Sequence, residues 1–363
     1  MSTRLAAAAL VCCTLLGPCL ILAQQRGQPE SAASAPDALP RTLAETGLYA
    51  DGAVGTIHPR NRLFVPQYSL WSDGLSKRRW IYIPPGTAIN GRDEYAWELP
   101  VGTKFWKEFS FAGRRVETRL LWKASATRWV PASYLWNEDG SEAVLAPEAG
   151  VLAVVEAAPG RWVSIPSRSD CTACHGRKPT SPLGFNALQL SADRDPNAVH
   201  GEPLAPDALT LAGLVDAGLL HDARADLAAK PPRIRTSTPA GRAVLGYLST
   251  NCGMCHNGSG EIAAMAPVLR ARDLVEDGDV VLRSFIDQRT RWQLAGAADE
   301  ETVLVRAGAP DRSALLVRMR SRSPSSQMPP LGTVVRDQAA LELLTRWIAT
   351  ELPRLPAAGH SKH

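Results

Sequence analysis

Two short motifs contain the residues whose types and spacing are best suited to chemistry. They are "DCTACHGR" at residues 170–177 and "NCGMCHNG" at residues 251–258. Each has two cysteines three positions apart and a histidine directly after the second. The six residues are Cys171, Cys174, His175, Cys252, Cys255 and His256. Such a group can bind zinc, form a reversible disulfide or attach a haem.

The spacing within each motif favours the haem. On a helix the three side chains lie at positions i, i+3 and i+4, which share one face. From that face two thiols can add to the two vinyl groups of a haem, while the imidazole binds the iron on the same side. Cys-x-x-Cys-His is therefore typical of c-type haem attachment. We expect two covalently bound haem c groups, with His175 and His256 as the proximal iron ligands.

The two other chemistries fit the chain less well. A zinc site usually combines two closely spaced pairs of ligands, whereas Cys252 lies 78 positions after Cys174. A thioredoxin-like pair begins a helix after a buried strand, whereas the second motif is predicted to end an amphipathic helix. The remaining three cysteines of the seven, Cys12, Cys13 and Cys19, all lie in an apolar N-terminal segment. The pattern is not that of a general disulfide framework.

A methionine far along the chain is predicted to be the sixth ligand of the second iron. Met328 lies in "QMPPLG", 72 residues after His256. The two prolines that follow it stiffen the backbone and help to present the thioether, and a methionine opposite histidine raises the reduction potential of a haem. Met319 is the alternative, although its periodic surroundings suit a core residue. Met254, inside the motif, is too constrained to reach the far side of its own iron.

The sixth ligand of the first iron is less obvious, because no Met-Pro-Pro segment lies between the two motifs. The candidates are His200, His221, Met265 and His58. His200 ranks first, because it lies in a proline-bounded loop after His175. An open or water-bound iron is the alternative. An open position would let the iron bind a small molecule, whereas a filled one would mainly transfer electrons.

The elements that must position these residues begin after a predicted export signal. Arg4 precedes the apolar segment "LAAAALVCCTLLGPCLILA", which predicts a signal peptide over residues 1–23 and a periplasmic or otherwise exported protein. The apolar segment is about long enough to span a bilayer, so membrane association is expected only if it is retained. Residues 24–42 are predicted to form a flexible linker.

The chain after residue 42 divides into three predicted regions and a C-terminal tail. Residues 43–166 contain short apolar runs between turn clusters, and eight of the ten tryptophans, which predicts a β-sandwich or barrel-like domain with tryptophans in its core. Residues 167–236 form the first haem region, with a helix predicted at 207–220. Residues 237–356 are predicted to form a class I cytochrome c-like domain between helices "TPAGRAVLGYLSTNC" and "DQAALELLTRWIATEL". Residues 357–363 are a tail. The expected fold class is multi-domain α+β, with a mostly α-helical di-haem region following the β domain.

The charge of the chain gives little sign of a nucleic-acid partner. The formal net charge is +4 and the pI is about 8.7, with no long block of lysine and arginine. We instead expect weak, salt-sensitive docking to redox partner proteins. Three arginines, Arg270, Arg272 and Arg318, are candidates for contacts with haem propionates.

The motifs also resemble known families. The segment from about residue 238 to 352 resembles a class I cytochrome c domain in its first helix, "NCGMCHN", "MPPLG" and a last helix ending in "RWIATEL". Over residues 43–352 the chain resembles a family of exported di-haem c-type cytochromes with an N-terminal β region. The matching segments include "PQYSLWSDGLSKRRWIYIPPG", "LPVGTKFWKEF", "YLWNEDGSEAVL", "IPSRSDCTACH" and "PLGFNALQLS".

The resemblance implies haem binding and electron transfer but no substrate. The sequence therefore predicts an exported di-haem cytochrome, more an electron-transfer protein than a catalyst. The alternative is a di-haem enzyme of the peroxidase or oxidase kind, with an open coordination position at the first haem. A third hypothesis is a zinc-binding or structural module.

Overall fold

The computed structural model describes residues 39–175, 182–259, 265–294 and 302–354. The predicted signal peptide, most of the linker and the tail at 357–363 lie outside these ranges. In the four ranges just given, no helix is both long and apolar enough to cross a membrane.

Strands dominate the first half of the described chain. In chain order they are β1 Arg62–Leu63, β2 Ser76–Tyr82, β3 Ile89–Asn90, β4 Lys104–Phe111, β5 Arg114–Lys123, β6 Trp129–Trp136, β7 Ala143–Leu145, β8 Val151–Ala158, β9 Arg161–Ile165 and β10 Leu220–His221. The helices are α1 Arg168–His175, α2 Leu211–Asp216, α3 Pro239–Asn251, α4 Ala271–Arg283, α5 Ala314–Arg320 and α6 Gln338–Arg346. A π-helical turn at Trp347–Glu351 and a 3₁₀ turn at Leu352–Arg354 continue α6.

An antiparallel sheet of six strands, in the order β1-β2-β4-β5-β6-β7, is the main β structure. Strands β8 and β9 form a separate hairpin, and β3 pairs with β10 in parallel. Successive side chains of a strand point to opposite faces. On one face Trp80 lies opposite Trp106, and Trp106 lies opposite Leu120. These three residues belong to one buried core with Trp136, so the predicted role of tryptophans in the core is confirmed for them.

The predicted fold class is wrong in two respects. Of the described residues, only 23% are in helices and 21% in strands, and the C-terminal region is not mostly helical. The segment between α5 and α6, for example, contains Pro324, Pro329, Pro330 and Gly332, which interrupt helices. In addition, the described strands form one open six-stranded sheet with two short two-stranded pieces, instead of a sandwich or barrel.

The first and last helices predicted for the C-terminal region begin where the sequence predicts. Thr238 caps α3 by accepting a hydrogen bond from the backbone N–H of Gly241, and Asp337 caps α6 by accepting one from Ala340. The helix predicted at 207–220 is much shorter. It begins after the cap Thr210 and ends at Asp216, and two residues after that end Gly218 adopts a positive φ of 64°.

The cores of the molecule combine distant parts of the chain. Helices α3, α4, α5 and α6 surround one core, which also includes Tyr68 and Leu188. A second core joins Phe64 and Phe105 to Phe185 and to Leu214 of α2. The β region therefore shares buried cores with helices that follow it in the chain.

Candidate functional site

The first motif lies on a short helix that begins with a reciprocal cap. The backbone N–H of Asp170 donates to the Ser167 hydroxyl at 3.1 Å, and the Ser167 N–H donates to the Asp170 carboxylate at 3.0 Å. This capping box starts α1 directly after strand β9. Cys171, Cys174 and His175 then occupy positions i, i+3 and i+4 of α1. The geometry expected for haem attachment is therefore present at this motif.

An ion pair of the main sheet lies beside the first motif. The Arg119 guanidinium on β5 donates two hydrogen bonds of 2.9 Å to Glu117. Burial raises the pKa of the Cys171 thiol, and the nearby Arg119 charge lowers it by a smaller amount. A reactive redox cysteine needs a depressed pKa. Although α1 follows a strand, Cys171 therefore lacks the thiolate character of a thioredoxin-like pair.

The second motif forms a turn of its own after α3. The helix ends at Asn251 and Cys252 is its C-cap, so the motif follows the end of the amphipathic helix as predicted, but its cysteines and histidine lie in a turn instead of on a helix. The next residue, Gly253, approaches the helix end so closely that a Cβ there would lie 2.3 Å from the Ser249 carbonyl oxygen. The His256 N–H nevertheless donates to the Cys252 carbonyl at 2.8 Å. One helical turn thus separates the first thiol from the imidazole.

The surroundings of His256 suit an iron ligand. Its ring nitrogen Nδ1 is buried and forms no hydrogen bond of standard geometry among the described residues, although the backbone carbonyls of Met265 and Pro267 lie close to the imidazole. Burial lowers the pKa of His256, and the backbone carbonyls of Met265 and Pro267 offset this only in part. The imidazole is therefore neutral at neutral pH, which is the form that binds a metal.

The cysteines of the second motif are also poorly suited to redox chemistry. Burial, together with the neighbouring Cys255, raises the pKa of Cys252 to about 12. The raised pKa values of Cys171 and Cys252 therefore do not favour the disulfide hypothesis, which requires a thiol of low pKa.

The loop of Met328 lies next to this second motif. The Met328 N–H donates to the carbonyl of Arg318 at 3.0 Å, and Arg318 Nε donates to the Ser326 carbonyl at 3.1 Å. The Arg318 charge also lowers the pKa of His256, so Arg318 lies near the histidine as well as the loop. Met319, the alternative ligand, is buried in the helical core. The structure thus brings the predicted ligand loop and the second motif together.

The candidates for the sixth ligand of the first iron lie elsewhere. His200 stacks on Trp71 with ring centroids 4.8 Å apart, and its Nε2 bonds to both carboxylate oxygens of Asp337 at 2.9 Å. His221 Nδ1 lies 3.2 Å from Asp222, and His58 Nδ1 accepts a hydrogen bond from the Arg60 N–H. Met265 lies beside His256, at the second motif. We therefore leave these three histidines and Met265 out of the ligand set proposed below.

One cleft of about 980 Å³ borders both motifs. Its lining includes Cys171, Cys174 and His175 from the first motif and Gly253, Met254 and Asn257 around the second, but not Cys252, Cys255, His256 or Met328. Gln327 and Pro329, on either side of Met328, line it as well. The volume lies at the upper end of the range usual for cofactor clefts. None of His58, His200, His221 and Met265 lines this cleft.

The sequence analysis missed a row of cationic side chains in this cleft. Arg79 on β2 lies directly opposite Lys107 on β4, and Lys107 lies opposite Arg119 on β5. All three line the cleft. Because successive side chains of a strand point to opposite faces, this row lies on the face opposite to Trp80, Trp106 and Leu120; the pairing between strands was not predicted. Of the arginines that were predicted, Arg270 and Arg272 line the cleft and Arg318 does not.

The part of the chain that the structure describes contains no ligand cluster of the kind that the zinc hypothesis requires. There, no three histidine, cysteine, aspartate or glutamate side chains are grouped so that they could hold a metal ion. A haem needs no such cluster, since its iron takes one histidine and one further ligand from the protein. Comparison with known proteins adds no assignment: no family model, no curated protein and no solved structure matches the chain.

Proposed function

We propose that the chain is an exported di-haem c-type cytochrome that carries electrons. One haem is attached through Cys171 and Cys174 with His175 as proximal ligand. The other is attached through Cys252 and Cys255 and lies between His256 and Met328. Bound haem supplies an iron that alternates between Fe(II) and Fe(III). The observation that carries the proposal is that Cys171, Cys174 and His175 line a cleft that Gly253 and Met254 of the second motif also border.

The residues of the chain have distinct roles in this proposal. The four thiols hold the two cofactors in place through thioether bonds. The neutral imidazole of His256 binds iron through a ring nitrogen, and the Met328 thioether holds its potential high. The side chains of the sheet exclude water from the side of the cleft that faces the first motif. Redox partner proteins, unidentified in kind, exchange electrons with the cleft from outside; no nucleic-acid partner is proposed.

Counting covalent haem tests the proposal directly. The full chain is produced in cells with haem-maturation machinery, then denatured, and the haem that remains attached is measured by its pyridine adduct. We expect two haems per chain. The double variants Cys171→Ala/Cys174→Ala and Cys252→Ala/Cys255→Ala should each retain one, and the control Cys19→Ala should retain two. A chain without covalent haem that binds zinc instead would overturn the proposal in favour of the zinc module.

A second candidate function is a di-haem enzyme, and a specific observation favours it. His200, which ranks first among the candidate ligands of the first iron, has its Nε2 held by Asp337 at 2.9 Å. An open coordination position would let the first site bind a small molecule. Optical spectra with added cyanide or carbon monoxide distinguish the two functions. A spectrum that does not change at either haem rules out the enzyme, whereas a change at the first haem supports it.

A further inference from the structure

We propose that Lys107 is the centre of a carboxylate-binding site on the sheet face of the cleft. The site consists of the row formed by Arg79, Lys107 and Arg119 on three neighbouring strands. The carboxylate has two sources to distinguish: a propionate of the first haem, in which case the inference rests on the proposed function, or a free organic acid.

The register of the sheet builds this row. Neighbouring strands lie about 4.8 Å apart, and Arg79, Lys107 and Arg119 are directly opposite one another in sequence register. Side chains at directly opposite positions lie on the same face, and like charges there destabilise a sheet unless something compensates them. The three cations therefore need anions on this face.

Two of the three cations have an anion within the protein. The Arg79 guanidinium donates two hydrogen bonds of 2.8 Å to Glu202. Arg119 donates two of 2.9 Å to Glu117. Both are bidentate pairs, the strongest form of charge-assisted hydrogen bond. The two carboxylates nearest to the row are thus already occupied by the outer cations.

Lys107 is the exception. Among the described residues, no carboxylate or carbonyl accepts a hydrogen bond from its ammonium group, and its Nζ lies over the ring of Phe109, 5.0 Å from the centroid. Arg119 lies over the same ring, at 4.5 Å. Lys107 nevertheless lines the cleft. An ammonium in a partly apolar cleft, between two guanidinium groups, is well placed to bind an anion.

The electrostatics around Lys107 agree with this geometry. Burial lowers the pKa of Lys107 well below its ordinary value, and the charges of Arg79, Lys77 and Arg119 lower it further. Only Glu202 acts in the opposite direction. A bound carboxylate would favour the charged ammonium, because an opposite charge at close range favours the ionised form.

The row also has the position that a haem propionate requires. Arg119, at one end, lies close enough to Cys171 and Cys174 for their charges to influence its pKa. Each strand from β5 to β4 and from β4 to β2 adds about 4.8 Å to the distance from the cysteines. Lys107 and Arg79 therefore lie progressively farther from the edge at which a haem would be attached. Propionates are carried on the opposite edge of the macrocycle from the vinyl groups.

The test compares Lys107→Met with Lys104→Met. Lys104 lies on the same strand, but its Nζ donates to the Thr46 carbonyl at 2.8 Å and it is not part of the row. For the wild type and both variants, a redox titration of the full-length protein with haem measures the reduction potential of each haem. The same protein is titrated with succinate at constant ionic strength, and binding is followed calorimetrically.

If the carboxylate is a propionate, Lys107→Met lowers the potential of the first haem, since a nearby positive charge is lost, and Lys104→Met leaves it unchanged. Succinate then does not bind the wild type. If the carboxylate is a free acid, succinate binds the wild type and Lys107→Met weakens it about tenfold or more, as expected for a lost charged hydrogen bond.

The proposal is overturned if Lys107→Met behaves like Lys104→Met in both titrations. The test of the carboxylate site can be made even if the proposed cytochrome function fails. Should the chain carry no covalent haem, the succinate titration is made on the haem-free full-length chain. Binding that depends on Lys107 would then support the site while the cytochrome proposal fails, and no binding would overturn the site as well.

Discussion

Met328 is the residue on which the second iron site most depends. In the protein with haem, Met328→Ala should abolish the weak Met-to-Fe(III) absorption band in the red. It should also lower the reduction potential of that haem, because a thioether ligand holds the potential high. Optical spectroscopy of the oxidised protein and a redox titration measure these two effects.

Met319→Leu is the matched control for this prediction, because Met319 lies in the helical core and leucine preserves its volume. The control should retain the band. Persistence of the band in Met328→Ala would mean that Met328 is not the ligand.

His200 shows why single residues were the hardest to assign from the sequence. Its ring was predicted to be free to reach the first iron. Its partner Asp337, however, lies 137 positions later, and Asp337 is recognisable in sequence only as the cap of α6. When a side chain has two possible hydrogen-bond partners, it bonds to the one that the fold brings within about 3 Å.

At the scale of elements, the packing of α3 against the β region can be tested at Gly246. A Cβ at this position would lie 2.0 Å from the Tyr68 ring. Replacing glycine by alanine inside a helix normally stabilises it by about 1 kcal/mol. We expect the opposite sign here. Gly246→Ala should lower the free energy of unfolding by roughly 1–3 kcal/mol because of overpacking.

Urea denaturation followed by circular dichroism measures this change. Gly241→Ala, in the same helix, is the control, since its Cβ would meet Leu282 Cδ1 only at 3.1 Å. The control should show a smaller loss. A Gly246→Ala variant as stable as the wild type would show that α3 does not pack on Tyr68 in this way.

The loop that follows Met328 is held by an element of the β region. The buried carboxylate of Asp73 accepts hydrogen bonds from the N–H groups of Val334 at 2.9 Å and Val335 at 2.8 Å. Asp73→Ala leaves both donors without their acceptor, so the free energy of unfolding should fall by about 2 kcal/mol. Amide hydrogen exchange at Val334 and Val335 should accelerate.

Asp73→Asn keeps an oxygen in the same position and is the matched variant. It should lose less stability than Asp73→Ala and retain slow exchange at both amides. Equal losses in the two variants would show that the charge, instead of the hydrogen-bond acceptor, holds the loop.

At the scale of the whole molecule, Lys77 on β2 should make stability depend on alkaline pH. Burial, followed by the charge of Arg79, lowers the pKa of Lys77 to about 8 from 10.5, against the opposing charges of Glu202 and Asp337. Between these two values the unfolded chain binds more protons than the folded one. Stability from this group therefore rises with pH in that window.

Lys77→Met should remove this contribution, so that stability rises less between about pH 8 and pH 10.5 than in the wild type. Urea denaturation across that range measures the slope. Lys230→Met is the control, because the Lys230 side chain is 79% exposed. An unchanged slope in Lys77→Met would mean that Lys77 ionises alike in the folded and unfolded chains.

The sequence by itself determined the local features of this protein. The Cys-x-x-Cys-His spacing depends only on three side chains within one helical turn, and the hydrogen bond from His256 to Cys252 preserves it even where the helix has ended. The caps Thr238 and Asp337 act on backbone groups three residues away. Interactions over such short separations can be predicted because the chain can adopt few alternative arrangements over them.

Only the tertiary structure decided how these pieces meet. The cleft between the two motifs, the pairing of Arg79, Lys107 and Arg119, and the contact of Asp337 with His200 all join residues remote in sequence. The amount of helix in the C-terminal region was overestimated for the same reason. Short helices are marginal alone and are stabilised mainly by packing, so their extent depends on long-range contacts that periodicity does not contain.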